Sequence, residues 1–257
     1  MDRQNKKERD MRTLRFRNAD DPRRRLLIQA LALGVFSLTG LPAGRALAAD
    51  IFGRRPSKLP AGQSVYRLSG TVTVNGKPAT SQTVIGATDT VETGKGSEIV
   101  FAVGESAFIL RDSSRVALES AEKGSLLVNG LRLLTGKLLS VFPGGRPVRV
   151  GTLTSTIGIR GTGFYLETDP EQDYFCTCYG VTDVAAGKDP QSRMTVVAKQ
   201  HDQPVYILAK APAGQSIRPA PFINHTDQEL QLIEALVGRV PPFIYPMEEY
   251  RGPRRAY

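Results

Sequence analysis

The sequence predicts an all-β protein, built as a β-roll or short β-solenoid with a β-sandwich as the alternative, and one C-terminal α-helix that caps it. Short apolar runs alternate with turn residues from about residue 65 to 179. No helical periodicity interrupts this stretch, and the runs recur roughly every ten residues, as they do in rolls, solenoids and sandwiches. A single amphipathic segment follows at about residues 227–237.

The first strands are indicated by alternation and by tight-turn dipeptides. Val72 and Val74 alternate with threonines directly before Asn75 and Gly76, and a second Asn-Gly pair stands at 129–130. Asn-Gly favours the left-handed backbone of a two-residue hairpin loop. We therefore expect a hairpin turn at both pairs.

The segment 156–165 (TIGIRGTGFY) predicts a sharp corner in the domain. It places three glycines among β-branched and aromatic residues. Glycine inside a strand pattern marks a bulge or a close approach of two backbones. We expect two strands to stack here, with Arg160, Gly161 and Thr162 at the corner.

The helix prediction rests on its capping signals. Thr226 and Glu229 have the spacing of a capping box, and Gly238 stands where a helix ends. Pro241 and Pro242 block any continuation. One face of the predicted helix is apolar and consists of Leu230, Ile233, Leu236 and Val237.

Five segments, in order, resemble the signatures of the FecR family. They are 69–74 (SGTVTV), 89–97 (DTVETGKGS), 108–116 (FILRDSSRV), 133–138 (LLTGKL) and 160–164 (RGTGF), the last of which matches the family's v-x-G-T-x-F-x-v signature. The chain departs from the family at Thr88 and Ser113, which stand where glycine is expected. The resemblance covers about residues 65–185 and implies a compact roll or short solenoid.

Five regions follow from these patterns. We expect an export signal at 1–48, a leader at 49–64, the FecR-like β domain at 65–185, a C-terminal extension at 186–247 and a disordered tail at 248–257. The extension contains the predicted helix.

The first 48 residues have the order of a secretory signal. A cationic block at 23–25 (RRR) precedes an apolar run at 26–41, and small residues follow at 46–48. The paired arginines resemble a twin-arginine signal. The predicted location is therefore the periplasm, with the mature chain beginning near Ala49. The alternative is an uncleaved signal that anchors the protein in the inner membrane, which is the only membrane contact we expect.

The net charge of +9 does not indicate a nucleic-acid partner. Residues 1–48 hold 11 Lys/Arg and 5 Asp/Glu, which leaves the rest of the chain with 23 minus 20, a net of +3. A phosphate-binding groove requires cations clustered on the folded part. We expect no nucleic-acid binding.

The chain has two cysteines and two histidines, all in its last third. Cys176 and Cys178 stand two apart in a predicted strand, so both thiols project from one face. With His201 and His225 they form a donor set suited to zinc or copper.

Three other interpretations of the cysteines stay open. They form a strained disulfide, they are buried small apolar residues, or they carry redox chemistry. Each histidine also has a structural alternative, since His201 lies in a polar turn and His225 precedes a helix.

No catalytic constellation is present in the sequence: there is no nucleophile elbow and no phosphate-binding glycine loop. FecR-family proteins transmit the occupancy of an outer-membrane receptor to a cytoplasmic regulator, often a sigma factor. The resemblance therefore implies a non-enzymatic binding or signalling module for a protein, peptide or glycan of the cell envelope. Its candidate contacts are the corner at Arg160 and the turn around Asp112. The alternatives are a periplasmic metal-binding or redox accessory protein and a membrane-anchored regulator.

Overall fold

The computed structural model describes residues 56–122 and 124–243, apart from the side chain of Thr162. The predicted export signal and the predicted C-terminal tail lie outside these residues. The strands are β1 (Val65–Ser69), β2 (Val72–Val74), β3 (Lys77–Pro78), β4 (Thr90–Thr93), β5 (Glu98–Val103), β6 (Ser106–Leu110), β7 (Arg115–Glu119), β8 (Gly130–Val141), β9 (Pro147–Gly151), β10 (Ser155–Thr168), β11 (Gln172–Ala186), β12 (Asp189–Ala198), β13 (Val205–Leu208) and β14 (Ile217–Pro219), and helix α1 is Asp227–Leu236.

The strands form one hydrogen-bonded sheet of fourteen strands, which curls into a small barrel-like core with additional strands. The long strand β10 connects its parts, because it pairs with β11 on one edge and with both β8 and β9 on the other. The predicted boundary at residue 185 falls at the end of β11, and β12 beyond it pairs with β11. The β domain and the first part of the extension therefore share one sheet.

Over residues 56–122 and 124–243, the prediction of an all-β protein with one helix is confirmed. The roll or short solenoid is not what the strand pairing shows. Successive coils of a solenoid stack in a repeating way, whereas the strands of the described residues pair antiparallel except for β8 with β9. Apolar runs between turns are common to both architectures, so spacing alone does not separate them.

Two apolar clusters lie on opposite faces of the sheet. The interior core includes Phe101, Phe108, Phe142, Phe164 and Phe175. The outer cluster, between the sheet and α1, includes Val100, Ile109, Tyr165, Cys176 and Cys178 from the strands and Leu230, Ile233 and Leu236 from the helix. Strands β5 and β6 are buried on both faces, which explains their continuous apolar sequences.

Helix α1 begins and ends as its sequence predicts. The side chain of Thr226 accepts a hydrogen bond from the backbone of Glu229, whose carboxylate bonds back to the backbone of Thr226. Gly238 follows the helix with a left-handed φ of 76°. Leu230, Ile233 and Leu236 are 0–1% exposed, and burial of such side chains contributes about 1.5–3 kcal/mol each.

In place of the predicted corner between two strands, Gly161 lies at a β-bulge within β10, where the pairing with β11 shifts register between Arg160 and Gly163. The φ of Gly161 is 61°, and a Cβ atom there would lie 2.6 Å from the Cα of Gly144. At Gly163 a Cβ would lie 2.6 Å from the ring of Tyr179. Gly161 and Gly163 are therefore required by close contacts with the β8–β9 loop and the next strand, whereas Gly158 meets only ordinary contacts.

Of the two predicted Asn-Gly turns, one is confirmed and one is wrong. Asn75 and Gly76 have φ values of 51° and 75° and close the β2–β3 hairpin. Gly130 instead begins β8, where it pairs with both Glu119 and Arg149. The preceding loop is fixed by the Asn129 amide, which donates to the Glu119 carbonyl, so the local turn preference is overridden by strand pairing.

Candidate metal centre

Strand β11 places two thiols beneath α1. Side chains alternate along it, so Phe175 enters the interior core while Cys176 and Cys178 point to the outer cluster. Both cysteines have no exposed surface. They are free thiols.

His201 reaches the same place from the turn after β12. Its φ of 52° is left-handed, and its backbone amide donates to the Cys178 carbonyl over 2.9 Å. The Asp202 carboxylate holds the turn by accepting hydrogen bonds from the amides of Lys199 and Gln200. The turn therefore folds the histidine back onto β11.

His225 approaches from the loop before α1 and is fully buried. Its Nδ1–H donates to the Ile223 carbonyl over 2.7 Å. Its ring stacks on Tyr165, with the centroids 4.5 Å apart and the planes 19° from parallel. These contacts fix both the rotation and the tautomer of the ring, and they leave Nε2 as an acceptor.

The donor atoms of Cys176, Cys178, His201 and His225 all lie within 4.8 Å of one another. The Nδ1 of His201 is 3.1 Å from the Nε2 of His225 and 3.6 Å from the Sγ of Cys176. A tetrahedral zinc ion with ordinary bond lengths requires about 3.3 Å between two nitrogens and about 3.6 Å between a nitrogen and a sulfur. The structure therefore brings together all four residues that the sequence nominated as ligands, at distances that suit one metal ion.

Both imidazoles are oriented by acceptors outside the donor set. The Nε2–H of His201 donates to Asp227 Oδ1 over 2.7 Å, and both side chains are 6% exposed. The other ring donates to a backbone carbonyl, as described above. When both rings are neutral, the remaining nitrogens direct their lone pairs at the same point, which a proton on His201 Nδ1 or a bound metal cation then occupies. Metal-ligating histidines almost always have such outer partners.

The electrostatics of the donor set are dominated by burial and by the contacts among its members. Burial raises the pKa of Cys176, but hydrogen bonds with Cys178, His201 and His225 outweigh it and hold that pKa well below its usual value. Burial lowers the pKa of His201, but its hydrogen bonds to Asp227 and Cys176 raise the pKa to about 9. Burial and the nearby Cys176 raise the pKa of Cys178 well above its usual value. One thiol is therefore prepared as a thiolate.

Aromatic rings surround the donors. Phe222 lies 4.2 Å from the His201 ring, and Phe243 lies 6.4 Å from it, centroid to centroid. With Tyr165 against the other imidazole, these rings keep the site apolar at its edge. An apolar shell restricts solvent access and raises the strength of charge interactions inside.

Cys176, His201 and Asp227 also stand in the order of a nucleophile, a base and an orienting carboxylate. A nucleophile must reach its substrate, and Cys176 has no exposed surface. The structure therefore does not present this thiol to a substrate.

The other predicted contact residues do not join this site. Arg160 forms an ion pair with Asp183 on the neighbouring strand, so it braces the sheet. Gly161 lies at the β-bulge described above, and the side chain of Thr162 lies outside the described atoms. Asp112 lies in the turn between β6 and β7, where its carbonyl accepts a hydrogen bond from Ser114.

The sequence interpretation missed the outer partners of the histidines. The sequence analysis assigns no role to Asp227 and does not indicate the stacking of Tyr165 on a histidine. Asp227 stands two residues after His225, which places its carboxylate near any site that includes His225. The stacking of Tyr165 depends on strand register, since Tyr165 pairs with Cys176 across β10 and β11.

Two solved structures are similar to part of this chain. Both are crystal structures of "a putative anti-sigma factor from Parabacteroides distasonis ATCC 8503", at 1.65 and 2.50 Å resolution. Each is 12% identical with a TM-score of 0.41, and the matches cover 51% and 55% of this chain. They span 58% and 70% of the other chain, so the first match covers less than two thirds of its relative. At this level of similarity they assign no function.

No protein-family model matches the chain, and no curated protein matches it. Among residues 56–122 and 124–243, no helix combines the length and the apolar character that crossing a bilayer requires.

Proposed function

We propose that this protein binds one Zn²⁺ ion through Cys176, Cys178, His201 and His225. The observation that carries the proposal is the 3.1 Å approach of two imidazole nitrogens whose partner nitrogens both donate elsewhere. Two lone pairs at this distance repel each other unless a proton or a cation lies between them. Two thiols within reach complete a tetrahedral set.

Charge balance favours Zn²⁺ over Cu⁺, the other metal suited to these donors. Two thiolates neutralise a divalent ion but leave a negative charge on a monovalent one. The cysteines and His225 are 0% exposed, and the nearby Asp227 already contributes one buried negative charge. Excess charge in such a site is costly because water does not solvate it.

The proposed ion has a structural role. Four protein ligands close the coordination sphere, whereas catalytic zinc sites keep one position open for water or substrate. The donors come from β11, the turn after β12 and the loop before α1. A metal ion bound there ties the C-terminal extension to the sheet.

We further propose that this metal-stabilised domain acts without turnover, as an exported binding or signalling module. The proposal is supported by the secretory pattern of residues 1–48, by the FecR-like segments and by the closed donor set. Its partner class, a protein, peptide or glycan of the cell envelope, stays a prediction from sequence.

Elemental analysis of the purified chain tests the metal site. We expect close to one equivalent of Zn²⁺ per chain, and a Co²⁺-substituted form with the intense visible bands of a tetrahedral thiolate site. The chain has no other cysteine or histidine, so a thiol titration reports this site alone. Cys176→Ser should abolish stoichiometric binding.

Lys199→Ser is the matched control, because Lys199 is exposed and lies two residues before a ligand. It should bind metal like the unchanged protein. Folded protein that takes up neither Zn²⁺ nor Co²⁺ contradicts the proposal. Uptake of Cu⁺ with no measurable Zn²⁺ binding contradicts the choice of metal.

A further inference from the structure

Arg111 is a buried cation close to the proposed metal centre, and the sequence analysis assigns it no role. It follows β6, and its side chain is 9% exposed. A buried guanidinium requires an opposite charge and partners for most of its donors; here only Nε has no hydrogen-bond partner among the described residues. Its partners therefore show which parts of the structure it holds together.

The guanidinium makes three contacts, two with the C-terminal extension and one with a ring on β10. Its Nη1 donates to the backbone carbonyl of Asn224. Its Nη2 bonds to both carboxylate oxygens of Glu229, at 3.1 and 2.9 Å. Its carbon lies 5.1 Å from the centre of the Tyr165 ring, within cation–π distance.

Each contact leads to a proposed ligand. Asn224 directly precedes His225 and has a left-handed φ of 61°, so a hydrogen bond to its carbonyl fixes the backbone that carries the ligand. Tyr165 is the ring on which that imidazole stacks. Arg111 thus holds the backbone before His225 and the ring beside it.

The third contact acts on the other histidine through the helix. Glu229 is the capping-box residue of α1. Asp227, at the start of the same helix, accepts a hydrogen bond from His201. An ion pair with Glu229 therefore fixes the helix turn that orients His201. Glu167 adds a cross-link, because its carboxylate accepts hydrogen bonds from Tyr165 and from Asn224.

We propose that Arg111 is a positioning residue that sets the metal affinity of the site. The inference rests on the proposed zinc site. Arg111 touches no donor atom and acts through Asn224, Tyr165 and the first turn of α1. A lysine cannot replace it, since one ammonium group cannot supply the forked geometry that reaches a carbonyl and a carboxylate together.

The test compares Arg111→Met and Arg111→Lys with the unchanged protein. Zn²⁺ affinity is measured by competition with a chromophoric chelator, and the melting temperature is measured with and without Zn²⁺. We expect the Kd to rise about tenfold in both variants, as for other outer partners of metal ligands. The metal-induced rise in melting temperature should shrink accordingly.

A purely structural role gives a different result. It lowers the melting temperatures of the metal-free and metal-loaded forms equally and leaves the Kd and the Co²⁺ spectrum unchanged. That result overturns the inference. Arg115→Met, which removes an exposed ion pair with Glu92, is the control and should change neither quantity.

Glu229→Gln provides a second test if the arginine variants fold poorly. Glutamine keeps the capping box but removes the charge that pairs with Arg111. We expect a smaller rise in Kd, about threefold, and an unchanged Kd contradicts the inference. If the protein without substitutions binds no Zn²⁺, the proposed function itself is wrong. The failure of the proposed function is therefore distinguishable from the failure of the inference about Arg111.

Discussion

The Nδ1 of His201 lies 3.1 Å from the Nε2 of His225. In each ring the other nitrogen donates a hydrogen bond to an acceptor outside the pair. Packing alone does not require two imidazole nitrogens in contact at this position. The same volume is filled at lower electrostatic cost by apolar side chains. A proton on His201, whose pKa is raised to about 9, occupies this contact in the metal-free protein, and the proposed Zn²⁺ would replace it.

Removing the metal should destabilise the protein markedly. With free Zn²⁺ at a thousand times its Kd, binding stabilises the folded state by about 4 kcal/mol. For a domain of this size we expect the melting temperature to rise by about 8–16 °C relative to a chelator-treated sample. Scanning calorimetry with and without chelator measures this, and equal melting temperatures contradict the proposed site.

Asp227→Asn should weaken metal binding by about 10- to 100-fold, because an uncharged acceptor supports the His201 ring less well. The helix should persist, since Thr226 and Glu229 keep their capping box. Chelator competition measures the Kd, and circular dichroism checks the helix. Asp183→Asn removes an exposed carboxylate that pairs with Arg160 and should leave the Kd unchanged. An equal loss in both variants argues against a specific role for Asp227.

Gly163→Ala should destabilise the domain by about 1–3 kcal/mol. The added Cβ would lie 2.6 Å from the ring of Tyr179 and 3.1 Å from a methyl group of Leu230, so the tyrosine ring must move and the leucine side chain must shift slightly. Gly144→Ala is the control, because a Cβ there meets no atom within 4 Å. Urea unfolding measures both variants, and equal stabilities would show that the contact relaxes freely.

Asp189 should make stability depend on acid pH. Its pKa is lowered to about 2, and the largest cause is a hydrogen bond from Ser192. Burial opposes this shift, whereas hydrogen bonds from Ser216 and from the amides of Gly214 and Gln191 lower the pKa further. The folded value lies below the unfolded value of about 3.9, so the stabilisation is present above pH 4 and is lost as the pH falls towards 2.

Asp189→Asn should therefore be less stable at neutral pH, and its stability should fall less steeply between pH 4 and pH 2. Urea unfolding of metal-free protein across this range measures the slope. Glu105→Gln, at an exposed turn, should leave the slope unchanged. The prediction is wrong if the free energy of unfolding falls with pH as steeply in Asp189→Asn as in the protein without the substitution.

The features that could be predicted from sequence depend on local chemistry. Helix α1 was predicted within one residue at its C-terminus because Thr226 and Glu229 make a cap through adjacent backbone atoms. Asn75 and Gly76 adopt the expected turn for the same reason. The alternation of Cys176 and Cys178 on one face of a strand follows from strand geometry.

The features that could not be predicted depend on pairings between distant segments. Gly130 joins β8 because Glu119 and Arg149 flank it, and neither partner is visible in the local sequence. The antiparallel order of the sheet likewise follows from which strands meet. Arg111 lies 118 residues from Glu229, so no motif connects them.

The placement of the donors has a consequence for how the chain matures. Cys176 and Cys178 leave the ribosome after β1 to β10 are complete, and His225 follows 47 residues after Cys178. A nascent chain that ends before His225 contains at most three of the four donor residues of the proposed site, and it lacks the helix that covers them. All four ligands of the proposed site are therefore available only after most of the barrel has been synthesised.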